Sequence, residues 1–390
     1  MAYDLFCRVI DNFGDAGVCW RLACDLAARG QTVRLFIDDA TALQDMAPLA
    51  QRPRGVQVLA FDTPASPADT VVEAFGCDPP APYVREMATA TRAPVWINLE
   101  YLSAEPGVER LHGLPSPQAN GLIKWFFYPG FTSGTGGLLR EPGVGAARAA
   151  FDAVSAAHWL QALGPVGVKP RPGERLVSLF CYANPRLPTL LQALAQQPTL
   201  LLVTPGLAAQ QMAVLPGPLP PGLRAHALPW LSQPDYDRLL WACDLNFVRG
   251  EDSMVRAHWA ARPFVWQVYP QHDGVHAAKL DDLLSRMALP APAAALWRAW
   301  NGLGPADAMV DELTHELTTS LTPSLTPTPS LALVQEGHPP TAWAFASQAW
   351  CDSLRNQADL TTQLQAFVAA KRASACSAYP PDSPGLSGRG

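Results

Sequence analysis

The sequence predicts an α/β protein of two consecutive Rossmann-like units that face each other across a cleft. Three observations carry that prediction. Short, continuous apolar runs alternate with amphipathic helical stretches, the order that gives parallel sheets covered by helices on both faces. The alternation stops at a Gly/Pro-rich stretch, residues 164–173, and then starts again. At 390 residues the chain is long enough to bury two cores of that size.

Each element follows from its local pattern. In the first unit Leu5–Ile10 reads as a strand, Val18–Ala28 as a helix and Thr32–Ile37 (TVRLFI) as a second strand ending at Asp38-Asp39. Thr41–Leu49 gives a short helix, and Val56–Phe61 a strand. Val71–Phe75 is a further apolar run stopped by Gly76, and Pro94–Leu99 (PVWINL) is a buried strand followed by Glu100-Tyr101-Leu102-Ser103. In the second unit Leu176–Cys181 and Thr199–Val203 are strands around a helix at Leu187–Gln196, and a proline-rich loop then runs to Pro221. Strands near Ala225–Leu228 and Leu245–Phe247 flank a helix at Tyr236–Ala242; a helix at Ser253–Ala260 and a strand at Pro263–Val268 follow. Trp343–Val368 is one long helical region with room for a bend, its apolar face marked by Leu360, Leu364 and Phe367 or Val368. The Thr/Ser/Pro stretch at 318–330 lacks the apolar residues of a core and is expected to be a surface loop. The expected division is therefore residues 1–163, then 174–357, a helix at about 358–372 returning to the first unit, and a disordered tail at 373–390. Glycosyltransferases of the GT-B architecture are built from two such halves, and so are some nucleotide-sugar epimerases.

Bulk composition excludes several classes of function. A formal charge of −6 argues against a nucleic-acid binder, which needs a basic face for phosphates. No apolar run approaches the ~20 residues that span a bilayer, so no membrane association is expected. The N-terminus MAYDLFCRVI lacks the basic, apolar and cleavage regions of a signal peptide. Eight cysteines are scattered without a CxxC pair, and a reduced, cytoplasmic protein is the expected setting.

The chemistry concentrates in two turns. The first, Asp11-Asn12-Phe13-Gly14-Asp15-Ala16-Gly17, joins the first strand to its helix. Ligands in open α/β sheets bind at such strand ends, but two carboxylates would repel the phosphate that a strand–glycine–helix turn usually holds. The loop suits a cation, or a hydroxyl or amine that must lose a proton: one carboxylate as general base, or both positioning a cationic acceptor. A plain helix cap by Asp11 or Asp15 is the competing reading. The second turn, Arg249-Gly250-Glu251-Asp252-Ser253, leads into another helix whose N-terminal end suits a diphosphate. Glu251 and Asp252 are placed to accept bonds from sugar hydroxyls, and Ser253 is an N-cap or an early helical residue. Here too, simple capping is the alternative. Phe180, Tyr182, Phe247 and Phe264 are either core or a stacking surface for a base, and the amide of Gln267 can read a pyrimidine edge. Ser133–Gly137 fits no nucleotide fingerprint. His272 and His276, without a convincing third ligand, do not make a metal site, so no metal is expected.

The segments DLFCRVIDNFGDAGVCWRLACDL, INLEYLSAE, YPGFTSGTGGLLRE, SLFCYANP and NFVRGEDSMVRAHWAARPFVWQVYPQ occur in the order found in one family. Over roughly the first three quarters of the chain it resembles the bacterial elongation factor P arginine rhamnosyltransferase family (EarP). The resemblance implies a GT-B enzyme moving rhamnose from dTDP-β-L-rhamnose to an arginine of elongation factor P with inversion, without cofactor or metal. It implies Asp15 as general base and Asp11 as its companion, with Asn12, Phe13, Gly14 and Gly17 completing the substrate loop. It implies Tyr182, Gln267 and Arg249 as donor contacts, Phe180, Phe247 and Phe264 as lining near thymine, and Glu251, Asp252 and Ser253 as the donor motif with Ser253 on the diphosphate. A nucleotide-sugar epimerase or hydrolase, and a non-catalytic partner-binding protein, are the rival readings.

Overall fold

A computed structural model describes residues 1–11, 13–269, 275–307, 309–311, 313 and 341–378. Asn12, the stretch at 318–330, His272 and the end of the chain from residue 379 lie outside the described residues.

The first unit is a seven-stranded sheet of β1 (Ala2–Cys7), β2 (Thr32–Ile37), β3 (Val56–Ala60), β4 (Thr70–Ala74), β5 (Val95–Leu99), β6 (Pro115–Pro117) and β7 (Ile123–Phe127). Its order is β3-β2-β1-β4-β5-β7-β6, parallel except for the β6–β7 pair. The second unit is an all-parallel sheet of β8 (Arg175–Leu179), β9 (Thr199–Val203), β10 (Leu223–Ala227), β11 (Leu245–Arg249) and β12 (Phe264–Gln267) in the order β10-β9-β8-β11-β12. Strands such as VWINL and TLLLV are buried at every position, as helices on both faces require. The strand order of each sheet has a switch point, between β1 and β4 and between β8 and β11, which opens a crevice at the carboxyl ends of those strands.

α1 (Gly14–Ala28), α3 (Gln233–Ala242) and α4 (Glu251–Ala260) border the crevice between the units; α2 (Ala153–Ala162) and, after an intervening helix at Ala342–Arg355, α5 (Leu360–Ala378) pack on the sheets. α1 buries its apolar face on the first sheet, in one cluster with Leu35, Ile97 and Leu99. Leu360, Leu364 and Val368 of α5 join that same cluster at the i, i+4, i+8 spacing of one helix face.

Three elements differ from their sequence-based expectation. The first unit does not run to 163: α2 places Leu160 beside Leu163, Val168, Leu176 and Leu200 in a core of the second unit, because its apolar side matches that sheet. The long helical region at 343–368 is two helices, broken at Asn356–Asp359, where Arg140 donates to the carbonyls of Arg355 and Gln357 at 3.0 Å each. The tail expected to be irregular from 373 is helical through Ala378.

Candidate active site

The loop after β1 is held by its own acidic residue. Asp15, in the first turn of α1, turns its carboxylate back so that Oδ2 accepts the backbone N–H groups of Ile10 at 2.8 Å and Asp11 at 2.9 Å. The Asp11 carbonyl accepts from Gly14 N at 2.7 Å and closes the turn. A Cβ on Gly14 would lie 2.8 Å from Asp11 Oδ2, so this turn has no room for a side chain there. Asp15 is only 3 % exposed. Burial raises its pKa against the lowering effect of the two backbone bonds, and the neighbouring Asp11 charge pushes the same way. Neither carboxylate caps α1, whose N-cap position is Phe13 with no side-chain bond; Asp15 holds the preceding loop, while Asp11 reaches into the cleft.

The facing wall comes from the second sheet. Tyr182, just beyond β8, donates its hydroxyl to Asp11 Oδ2 at 2.5 Å. Arg249, the last residue of β11, lies with its guanidinium carbon 4.3 Å from the Tyr182 ring centre and 4.7 Å from that of Phe180. Its Nη1 stands 3.9 Å from Asp11 Oδ1, and its buried Nε has no partner. Gly250 has φ +69°, and a Cβ there would come within 3.1 Å of Asp11 Oδ2, which explains glycine between the arginine and α4. The cleft holds about 680 Å³, its open mouth included. Asp11, Arg249 and Ser253 give it polar walls, while Phe180, Trp230 and Tyr236 line its apolar side. Phe13 stacks on Trp230 across it, with centroids 5.1 Å apart.

Several expected contacts are placed differently. Phe247 and Phe264 are core residues, packed edge-on against Trp300 and Trp297, because helices cover the faces of the sheet there. They line no cleft. Gln267 is buried, and its Oε1 accepts the Tyr182 N–H at 2.8 Å, so it shapes the loop that presents Tyr182. Ser253 is not the N-cap: Gly250 holds that place, and the Ser253 hydroxyl donates to the Arg249 carbonyl inside the helix. Asp252 turns to Arg21 at 2.7 Å rather than standing open for a sugar. Gly17 faces the second unit: its carbonyl accepts from Gln233 Nε2 at 3.0 Å, and a Cβ there would sit 3.4 Å from Asp252 Oδ2. Glu251 is pushed up to about 8 by burial, with the charges of Asp15 and Asp252 adding to the effect.

Trp230, Gln233, Tyr236, Tyr101 and Arg21 belong to the site or its frame and were not legible as such. Tyr101 stacks on Phe75 and lies against Asp15, whose charge and the burial of the phenol raise the Tyr101 pKa. Its position directly after the PVWINL strand was the available signal, since strand ends of this sheet border the site. Among the described residues no group of three or more His, Cys, Asp or Glu could hold a metal ion.

Residues 3–369 match the model of a family described as Elongation-Factor P (EF-P) rhamnosyltransferase EarP. The chain belongs to the EarP family. It is 41 % identical to the protein-arginine rhamnosyltransferase of Pseudomonas aeruginosa, over 94 % of this chain and 99 % of that protein. To the Pseudomonas putida protein of the same name it is 48 % identical, over 77 % of this chain and 86 % of that one. A solved structure described as the structural basis for EarP-mediated arginine glycosylation of translation elongation factor EF-P superposes with a TM-score of 0.61. It is 31 % identical, over 95 % of this chain and 99 % of the other. Arabidopsis thaliana UGT89C1, at 10 % identity and a TM-score of 0.51, shares the fold only. The architecture is GT-B, and this EarP chain is an enzyme, a protein-arginine rhamnosyltransferase. No helix among its described residues is long and apolar enough to cross a membrane.

Proposed function

We propose that the chain transfers rhamnose from dTDP-β-L-rhamnose to one arginine of elongation factor P, in the cytoplasm, with inversion at C1. One observation carries the reading: a carboxylate, Asp11, and a cation, Arg249, face each other 3.9 Å apart from opposite units of one cleft. Opposite charges so placed sort two opposite substrates, a guanidinium beside Asp11 and a diphosphate beside Arg249 and the N-terminus of α4.

A guanidinium is protonated at any physiological pH and has no free lone pair for attack. As its nitrogen bonds to C1, one N–H proton passes to Asp15 and the C1–oxygen bond breaks, leaving its electrons on the diphosphate. Attack from the face opposite the leaving group inverts the centre. Asp15 suits the base because burial makes its carboxylate more basic than usual. Oδ2 is held by two N–H groups, and the Tyr101 hydroxyl also bonds the carboxylate, so the base is fixed in place where it takes the proton. Asp11 orients the guanidinium. Phe180, Trp230 and Tyr236 offer flat faces for a base.

The test is intact-mass analysis of elongation factor P incubated with the enzyme and dTDP-rhamnose, followed by fragmentation. One deoxyhexose mapped to an arginine supports the reading. An unmodified acceptor in the presence of folded enzyme overturns it, and release of free rhamnose without acceptor points to a hydrolase.

A further inference from the structure

Behind the cleft lies a buried cluster of charges that joins the two units. Arg21, on α1, is 4 % exposed and forks to three carboxylates: Asp252 at 2.7 Å through Nε, Asp237 at 3.0 Å through Nη2 and Glu141 at 3.2 Å through Nη1. Arg256, one turn after Asp252 on α4, bonds Asp237 at 2.6 Å and Glu141 at 2.5 Å. Burial would raise the Glu141 carboxyl, but the Arg256 and Arg21 guanidiniums outweigh it and hold it down at about 2. Asp237 lies on α3 and Asp252 on α4, so Arg21 is the first unit's grip on two helices of the second.

We infer that Arg21 is a positioning residue for transfer, acting through Asp252 to fix the spacing between the acceptor loop and the donor helix. This rests on the function proposed above. α1 is one rigid body with Asp15 in its first turn and Arg21 six residues on. At ~1.5 Å per residue, helix geometry carries the Arg21 position to the Asp15 end as a fixed offset of about 9 Å. α4 likewise ties Asp252 to Ser253 in its first turn, and only the N-cap Gly250 separates that helix from Arg249 at the end of β11. Clamping Arg21 to Asp252 therefore sets where the base stands relative to the leaving group. Asp252 belongs to the cleft wall, so the clamp reaches the substrate space itself. The Gln233–Gly17 bond lies alongside it, and no side chain at 17 wedges the helices apart.

The chemistry explains the choice of residue. A planar guanidinium can meet three carboxylates in fixed directions, which an ammonium cannot do. Two buried guanidiniums among three carboxylates, Asp237 buried and Glu141 and Asp252 partly so, make a poor device for stability alone, since apolar packing would close the same contact with less desolvation cost. What the cluster supplies is a single register between two sheets.

The experiment measures transfer kinetics, dTDP binding by calorimetry and thermal melting for Arg21→Lys, Arg21→Gln and Asp252→Asn. A misplacement near 1 Å is enough to cost about 10²-fold in rate. Arg21→Gln is expected to lower kcat by about that factor, and Arg21→Lys by about tenfold. The dTDP Kd should stay within about twofold for Arg21→Lys and Arg21→Gln, because the donor helix itself is intact. Arg21→Gln combined with Asp252→Asn should be no slower than Arg21→Gln alone, the mark of residues acting as one unit. The inference is overturned if melting falls while kcat per folded molecule is unchanged, or if dTDP binding weakens and kcat does not. If Arg21→Gln does not fold, Arg21→Lys decides by the same readings. A wild-type enzyme that transfers nothing would instead overturn the proposed function.

Discussion

The two units make the same strand–turn–helix connection and charge it in opposite ways. In the first, the turn after β1 leads into Gly14 and Asp15 at the start of α1; in the second, the turn after β11 is Gly250 alone, followed by Glu251, Asp252 and Ser253 at the start of α4. Both glycines border the same atom, Asp11 Oδ2, one from each unit, at 2.8 and 3.1 Å for the missing Cβ. The first turn satisfies Asp15 with backbone N–H groups and presents Asp11 outward. The second neutralises Asp252 with Arg21 and presents Arg249. One fold unit thus makes an anionic lip in one half and a cationic lip in the other, and the difference lies in which charge the local bonds consume.

That contrast can be broken from either side. The largest effect is expected on the anionic lip. Asp15→Asn keeps an oxygen able to accept both backbone bonds, because one atom, Oδ2, accepts both in the wild type. The fold should survive while transfer falls by about 10²–10⁴-fold, the usual worth of a general base, as read by initial rates beside a melting curve. Retained transfer would remove Asp15 from the chemistry. On the cationic lip, Arg249→Met keeps much of the stem that packs on Phe180 and Tyr182 and deletes the charge. A hydrogen bond to a charged group is worth about 1.5–3 kcal/mol, so the donor KM should rise by roughly 10–100-fold. An unchanged donor KM would mean that Arg249 serves only to hold Asp11.

The smallest effect concerns Glu251. Its pKa in the folded protein, about 8, lies above the ordinary carboxyl value of 4.5. A group shifted upward contributes stability that is complete below about 4.5 and is lost as the pH climbs through about 8. Glu251→Gln removes that dependence. The variant's melting temperature relative to wild type should therefore increase by roughly a few degrees between pH 5 and pH 8. A constant difference across that range would show that Glu251 is not held neutral by burial.

The sequence made some of these features legible and hid others for physical reasons. Thr32–Ile37 and Thr199–Val203 form strands with the bounds their apolar runs indicate, the second buried throughout and the first interrupted only by Arg34, which pairs with Asp4. The same property hid the orientation of Phe247 and Phe264. When both faces of a strand are covered, alternation carries no information about which side meets the cleft. The acidic turn stood out because its composition contradicts its glycine-rich shape. Arg21 did not, because a cation on an amphipathic helix reads as solvent-facing until its partners, 120 to 231 positions away, are placed around it. Trp159, whose Nε1 bonds Asp235 at 3.0 Å, shows the same limit, since it ties α2 to a unit that begins after it in sequence.

Arg140 bears on how the cleft can open. The chain passes between the units in the segment before α2 and again at Asn356–Asp359, and Arg140 joins these passages through two backbone carbonyls. Two strands of a linkage stapled at one point behave as a door's edge rather than as a tether. Rotation of the sheets about that edge keeps both bonds, whereas sliding along it would break them. Opening by that rotation would part the two charged lips and break the Arg21–Asp252 clamp, and closing would restore both.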